Sequence, residues 1–148
     1  MARFSNTLMI SSDAKDVFHY LAKMENFTVW NYAVQQITKV KSTEGIVGSK
    51  YHLLRGMGLQ SFEEIVITEY VPNERLTFDA SGKVFSYRMA YELEQQSQGT
   101  LLTNKAEIIS SGMKGIMIGI MKNNIKKAVN QNLHVLKSLF DNEKSEFI

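Results

Sequence analysis

At 148 residues, with 44% hydrophobic and 22% charged side chains, the chain is long enough for one substantial core and has an ordinary globular composition. With no cysteine, disulfides, thiolate nucleophiles and Cys-ligated zinc are excluded, which suits a reducing cytosol. A formal charge of +2 is too small to argue for nucleic acid, and neither a secretory signal nor a membrane-length apolar run is present. The expectation is a single cytoplasmic domain over residues 1–148.

Phe4, Leu8 and Ile10 share a period-two face and predict a first strand. Asp13, with Asp16 three residues on, resembles an acidic capping box; behind it Ala14, Val17, Phe18, Leu21 and Met24 fall on one helical face. Asn26 reads as a second cap, ahead of a short turn through Phe27, Val29 and Trp30. From Val34 the period is two, giving strands at Val34–Lys41, Ser49–Arg55, Leu59–Tyr70, Arg75–Ala80, Val84–Glu94 and Thr100–Ser110. The breaks carry turn chemistry: Gly45 and Gly48, Gly56-Met57-Gly58, Ser81-Gly82, Gln98-Gly99, and Val71-Pro72-Asn73-Glu74, where proline suits a type I turn. Connections this short permit antiparallel hairpins and leave no room for parallel crossovers.

Residues Met113 to Phe140 predict one amphipathic helix, roughly 42 Å long. Its buried stripe runs through Met113, Met117, Ile120 or Met121, Ile125, Ala128 or Val129, Leu133 or Asn132, Leu136, Leu139 and Phe140. The polar tail from Asp141 to Ile148 is expected to fray.

This order of elements resembles the helix-grip fold of the START/polyketide cyclase-like superfamily (SRPBCC), which includes the birch-pollen allergen. The matching segments run along almost the whole chain. They are Ser12 to Phe18, Glu25-Asn26-Phe27 with Trp30, Gly48, Glu69 to Leu76, Gly99-Thr100, and Leu133 with Leu136 to Leu139. The subgroup it is most similar to is the bacterial polyketide cyclase/dehydrase-like proteins. The resemblance implies an α+β fold: a curved antiparallel sheet of about seven strands, two short helices after the first, wrapped around a long C-terminal helix. It also implies an apolar cavity between sheet and helix, although the matching motifs are structural rather than catalytic.

Alternation points Phe85, Tyr87, Met89, Tyr91 and Leu93 inward, with Leu102, Asn104, Ala106 and Ile108 from the next strand and Leu76, Phe78 and Ala80 from the previous one. Such a set either fills a dry core or lines a small-molecule pocket, and the resemblance favours the pocket. Met113, Met117 and Met121, beside Gly115 and Gly119, are either plain core or an adaptable lid at the pocket mouth. Arg55 and Glu63 face each other around the Gly56–Gly58 turn. They form a buried polar site with Tyr87 or Asn104 nearby, unless a one-residue shift turns them into a surface pair. His19, His52 and His134 lack partners at metal-ligand spacing, and no P-loop, dinucleotide fingerprint or Gly-x-Ser-x-Gly elbow is present, so neither metal nor cofactor is expected. Lys114, Lys122, Lys126, Lys127 and Lys137 either solvate the last helix or permit transient contact with anionic lipid.

The function expected is therefore binding of a hydrophobic, lipid- or polyketide-like molecule, as carrier or sensor, by a monomer or homodimer. Trp30, Tyr51, Leu53, Phe78, Tyr87, Met89, Tyr91, Met117 and Met121 form the expected wall, and Arg55, Glu63 and Asn104 orient one polar end. A cyclase or dehydratase using the same pocket is the alternative, and a protein-interaction module is a third reading.

Overall fold

The period-two stretches pair each with the next. The computed structural model describes residues 2–56, 61–83, 85–111 and 115–146, excluding the side chains of 61, 85, 110, 111, 115–121 and 142–146. Its strands are β1 (Ala2–Ile10), β2 (Val34–Lys41), β3 (Lys50–Arg55), β4 (Ser61–Val71), β5 (Arg75–Gly82), β6 (Phe85–Gln96) and β7 (Gly99–Ser111). Helices α1 (Ala14–Ala22) and α2 (Phe27–Trp30) flank a 3-10 turn at Met24–Asn26, and α3 (Gly115–Glu146) follows the sheet. The sheet order is β1-β7-β6-β5-β4-β3-β2 with every pairing antiparallel, which is the curved-sheet and long-helix architecture of the helix-grip fold.

The meander leaves β1 and β2 at opposite edges, so α1 and α2 must carry the chain across the sheet. The connection from Ile10 to Val34 lays both helices across the concave face, and bulges bend the strands beneath them. Register shifts fall in β2 between Val34 and Gln36 and between Lys39 and Lys41, in β4 between Ile67 and Glu69, and opposite Ser86 and Tyr87, where Ile109 is the extra residue of β7.

The concave face is the one that alternation points inward. Phe4, Leu8, Ile10, Ile65, Ile67, Leu76, Phe78, Met89, Tyr91, Leu93, Leu102 and Ala106 are all buried on it. Val17, Phe18, Leu21, Met24, Phe27 and Trp30 close one end, and Leu133, Leu136 and Phe140 of α3 join the same core. Phe27 and Trp30 meet at 4.7 Å between ring centroids, Phe27 and Phe78 at 5.9 Å, and Phe18 and Tyr70 at 5.3 Å. No described helix is long and apolar enough to cross a membrane.

Four local expectations are corrected. Asp13 and Asn26 occupy N-cap positions, but neither side chain caps its helix. Instead Gln95 Oε1 of β6 accepts from the Ala14 N–H at 2.7 Å, and Asn26 Nδ2 donates to the Tyr20 carbonyl at 2.9 Å. A cap supplied by tertiary contact leaves no trace in local sequence. The turn at Val71–Glu74 is closed by the Glu74 N–H donating to Val71 O at 3.0 Å, but Asn73 has φ +67°, which makes it type II. Finally α3 continues past Phe140 to Glu146. Asp141 is held there, accepting from Lys137 Nζ at 2.6 Å and from the Ser11 N–H at 3.4 Å.

The tip of the β6–β7 hairpin pins the corner between β1 and α1. Gln95 Nε2 donates to Gln96 O and Gly99 O, and Thr100 Oγ1 donates to Ser12 O at 2.6 Å. Gly99 adopts φ +142°, and a Cβ there would lie 2.2 Å from the Ile10 carbonyl oxygen. Gly45, at φ +81°, has nothing within 4 Å of the same position. Gly99→Ala is therefore expected to lower unfolding free energy by about 2–4 kcal/mol, and Gly45→Ala by only about 1 kcal/mol. Urea denaturation of the two variants checks this; equal losses would contradict the close approach.

Candidate functional site

β3 ends at Arg55, and β4 returns with Arg55 opposite Ser61 and Leu53 opposite Glu63. Period-two geometry then puts Arg55 and Glu63 on the same face as diagonal neighbours. Tyr87 comes from β6, two strands from Glu63. It can reach because the intervening β5 presents Gly82 opposite Glu63 and Ala80 opposite Tyr87, so no bulky side chain stands between them. The Ile109 bulge lies directly across from this part of β6. Bulges re-aim the side chains beside them.

The three side chains form a closed hydrogen-bonded cluster. Arg55 Nε donates to Glu63 Oε2 at 2.5 Å, and Nη2 donates to Glu63 Oε1 at 3.4 Å and to the Tyr87 hydroxyl at 2.8 Å. The Tyr87 hydroxyl in turn donates to Glu63 Oε1 at 2.6 Å. Glu63 is buried, whereas the Arg55 side chain keeps 28% of its exposure. Burial alone would lower the Arg55 pKa, but Tyr87 and Glu63 outweigh it and hold the guanidinium above its ordinary value. Burial likewise pushes the Tyr87 phenol well above its ordinary range, and the neighbouring Glu63 carboxylate adds to the effect.

The other expected site residues distribute along the concave face. Trp30, Phe78 and Tyr91 pack together at the closed end, with Trp30 and Tyr91 edge-on at 6.3 Å. Burial pushes the Tyr91 phenol up strongly. Tyr51 and Leu53 are buried on β3, with Lys39 Nζ 5.7 Å from the Tyr51 ring centre; burial raises the Tyr51 phenol too. Met89 sits between Tyr87 and Tyr91 on β6. Asn104 is not beside Arg55 and Glu63. It pairs with Tyr91 in the ladder and donates through Nδ2 to Met89 Sδ at 2.8 Å. Alternation names its face but not how far along that face it lies. Met117 and Met121 belong to α3, but their side chains, that of Phe85, and the whole of Met113 and Lys114 lie outside the described residues.

Phe27 and Asn6 also belong to this interior, although the sequence reading did not choose them as site residues, and so does Asn132, which it offered only as an alternative to Leu133 on the buried stripe. Phe27 touches Trp30, Phe78 and Tyr91, and its position three residues after Met24 on the helical face was the available signal. Asn6 and Asn132 are polar residues at core-facing positions. His19, His52 and His134 are exposed, and no metal-binding cluster of three occurs among the described residues. Lys126 and Lys127 are exposed on α3 and Lys122 is half-buried. An open groove of about 590 Å³ on the outer face runs past Arg3, Arg88, Lys105 and Glu107. These charges are already paired: Arg3 with Glu107, Arg88 with Asp79 and Lys105 with Glu92.

Glu63→Gln removes the countercharge of a largely buried guanidinium and is expected to lower stability by about 2–3 kcal/mol, against about 1 kcal/mol for Tyr87→Phe. The folded-state pKa values of Tyr51, Tyr87 and Tyr91 lie above the ordinary value, so the unfolded chain loses these protons first. Stability should then be complete below about pH 10 and decline as the pH rises beyond it. Phenolate absorbance followed together with circular dichroism tests the sign: these tyrosines should ionise only as the fold is lost.

Residues 1–141 match the family described as polyketide cyclase / dehydrase and lipid transport. No curated protein matches the sequence. Among solved structures, a START superfamily protein from Mycobacterium smegmatis superposes with a TM-score of 0.80 at 13% identity, covering 95% of this chain and 97% of that one. The Zhui aromatase/cyclase from a Streptomyces species gives 0.78 at 8% identity, with 95% and 93% covered. The di-domain ARO/CYC StfQ from the steffimycin biosynthetic pathway gives 0.79 at 11% identity, covering 97% of this chain and 51% of that one. At such identities the structural likeness shows the fold alone. The match over residues 1–141 goes further: the chain belongs to the polyketide cyclase / dehydrase and lipid transport family, and its fold is the START-like ligand-binding fold.

Proposed function

We propose that the protein binds a hydrophobic, lipid- or polyketide-like molecule between the concave face of the sheet and α3, as carrier or sensor. One observation carries this reading: a largely buried Arg55–Glu63–Tyr87 cluster, the charged part of a mainly apolar face, is held there by its own hydrogen bonds. Arg55 has five N–H donors, and those on Nη1 make no hydrogen bond to a described residue. They are the natural partners of an oxygen on the guest, a carboxylate or carbonyl that anchors one end while the apolar wall holds the rest.

Binding accounts for this cluster better than proton transfer does. A phenol held well above its ordinary pKa is a poor general acid near neutrality, and Tyr87 is such a phenol. Both Glu63 oxygens already accept from Arg55 or Tyr87, so using the carboxylate as a base would break the bonds that hold it. A cyclase or dehydratase would occupy the same pocket and differs in one observable, turnover.

Native mass spectrometry of the protein purified from its own host, followed by solvent extraction, tests the reading. An apolar adduct is expected, retained at least about tenfold less by Arg55→Met. Incubation should return the extracted molecule unchanged. Conversion by the wild type that Glu63→Gln and Tyr87→Phe abolish would make the protein an enzyme instead, and no adduct at all would sink the carrier.

A further inference from the structure

A guanidinium offers a carboxylate two bidentate edges, one between Nε and Nη2 and one between Nη2 and Nη1. In Arg55 neither is fully open. Glu63 occupies the first, with Nε donating to Oε2 at 2.5 Å and Nη2 donating to Oε1 at 3.4 Å. The other N–H of Nη2 goes to the Tyr87 hydroxyl at 2.8 Å, which removes one prong of the second edge. Tyr87 is fixed in that role, because its own proton is donated to Glu63 Oε1 at 2.6 Å. Burial, reinforced by Glu63, keeps the phenol protonated. Of the five Arg55 donors, the two on Nη1 are those without a hydrogen bond to a described residue.

The charge of Arg55 is committed as well as its donors. Buried Glu63 balances it, and the charges that act on the Tyr87 hydroxyl are those of the same pair. A guest carboxylate at Nη1 would set a second anion near Glu63 in mainly apolar surroundings, with one cation shared between the two. It would also be held by one nitrogen, where a carboxylate gains most from two. A ketone, aldehyde or ester meets neither obstacle, since its carbonyl oxygen needs a single donor and brings no charge. We propose that Glu63 and Tyr87 determine specificity, making Arg55 an anchor for an uncharged carbonyl oxygen and turning away a carboxylate. The proposal rests on the reading that the concave face holds an apolar guest, and it narrows that guest to an apolar skeleton bearing a neutral carbonyl. Glu63 acts through charge and Tyr87 by occupying Nη2, so mutation separates the two contributions.

Titration calorimetry with decanoic acid and 2-undecanone at about pH 8, where the acid is a carboxylate, tests this. Both place the same nonyl chain on a carbonyl carbon, which bears an ionised oxygen in one and a methyl group in the other. The ketone is expected to bind the wild type at least about tenfold more tightly. A plain apolar surface would favour the ketone too, so the variants decide. Glu63→Gln should tighten decanoate about tenfold by removing the like charge. Tyr87→Phe leaves the ion pair in place and should tighten decanoate about threefold by freeing the second prong. A damaged fold does not produce gains in affinity, and Tyr87→Phe decides alone if Glu63→Gln does not fold. Decanoate binding the wild type as tightly as the ketone, or no tighter in the variants, would overturn the selectivity and leave the carrier reading standing. Failure of both compounds to bind the wild type would overturn the two proposals together.

Discussion

Because β1 pairs with β7 while β2 lies at the far edge, the connection from Ile10 to Val34 has to bridge the whole width of the sheet. Its helices take the concave side, and the closed end of the interior follows from that topology. The bridge lays Val17, Phe18, Leu21, Met24, Phe27 and Trp30 against the concave face and makes them the floor of the interior. The long α3 then closes the remaining side, with its later half packed near α1 through the Tyr20–Phe140 ring contact. The bulges in β2, β4 and β7 supply extra twist where the sheet must bend most.

Within that frame the Arg55–Glu63–Tyr87 cluster is poorly explained by stability. A buried ion pair loses so much hydration that apolar residues of similar shape commonly serve as well or better. Its members come from three strands, and small residues on β5 let them meet across an intervening strand. The arrangement holds a guanidinium on a mainly apolar face, with its Nη1 donors bonded to no described residue. Electrostatics and shape agree there, since low polarity strengthens any contact the guanidinium makes.

Much of the fold was legible in the sequence because a sheet that is half buried writes its faces into alternate residues. The strands from Val34 to Lys41 onward stand where alternation puts them, and the buried helical positions of α1 match their spacing. What alternation cannot encode is distance along a face. Arg55 and Glu63 could be paired because a single turn joins their strands, whereas Asn104, on the correct face, sits about four residues from the row of Tyr87. The helices start where the sequence puts them, but their capping bonds were misread for a related reason. Asp13 has the chemistry of a cap, but Gln95, more than eighty residues away, takes the Ala14 N–H first. The extension of α3 past Phe140 likewise depends on Ser11 reaching Asp141, a contact with no local signature.

The pairing of the first strand with the last has a consequence for how the chain acquires its shape. Ile10 meets Thr100, some ninety positions later, and the other β1 pairs are as distant or more so. At ribosomal rates of about 5–20 residues per second, β1 emerges roughly 5–18 s before its partner exists. Through that interval Phe4, Leu8 and Ile10 remain unburied beside unpaired backbone, as does the helical face that will floor the interior. The β2–β7 meander can form hairpin by hairpin, but closure must wait for residues Gly99–Ser111. Long-range closure of this kind is slow to reach and exposed to aggregation meanwhile. The interior is thus the last part of the molecule to come into being, completed when its oldest segment finally docks.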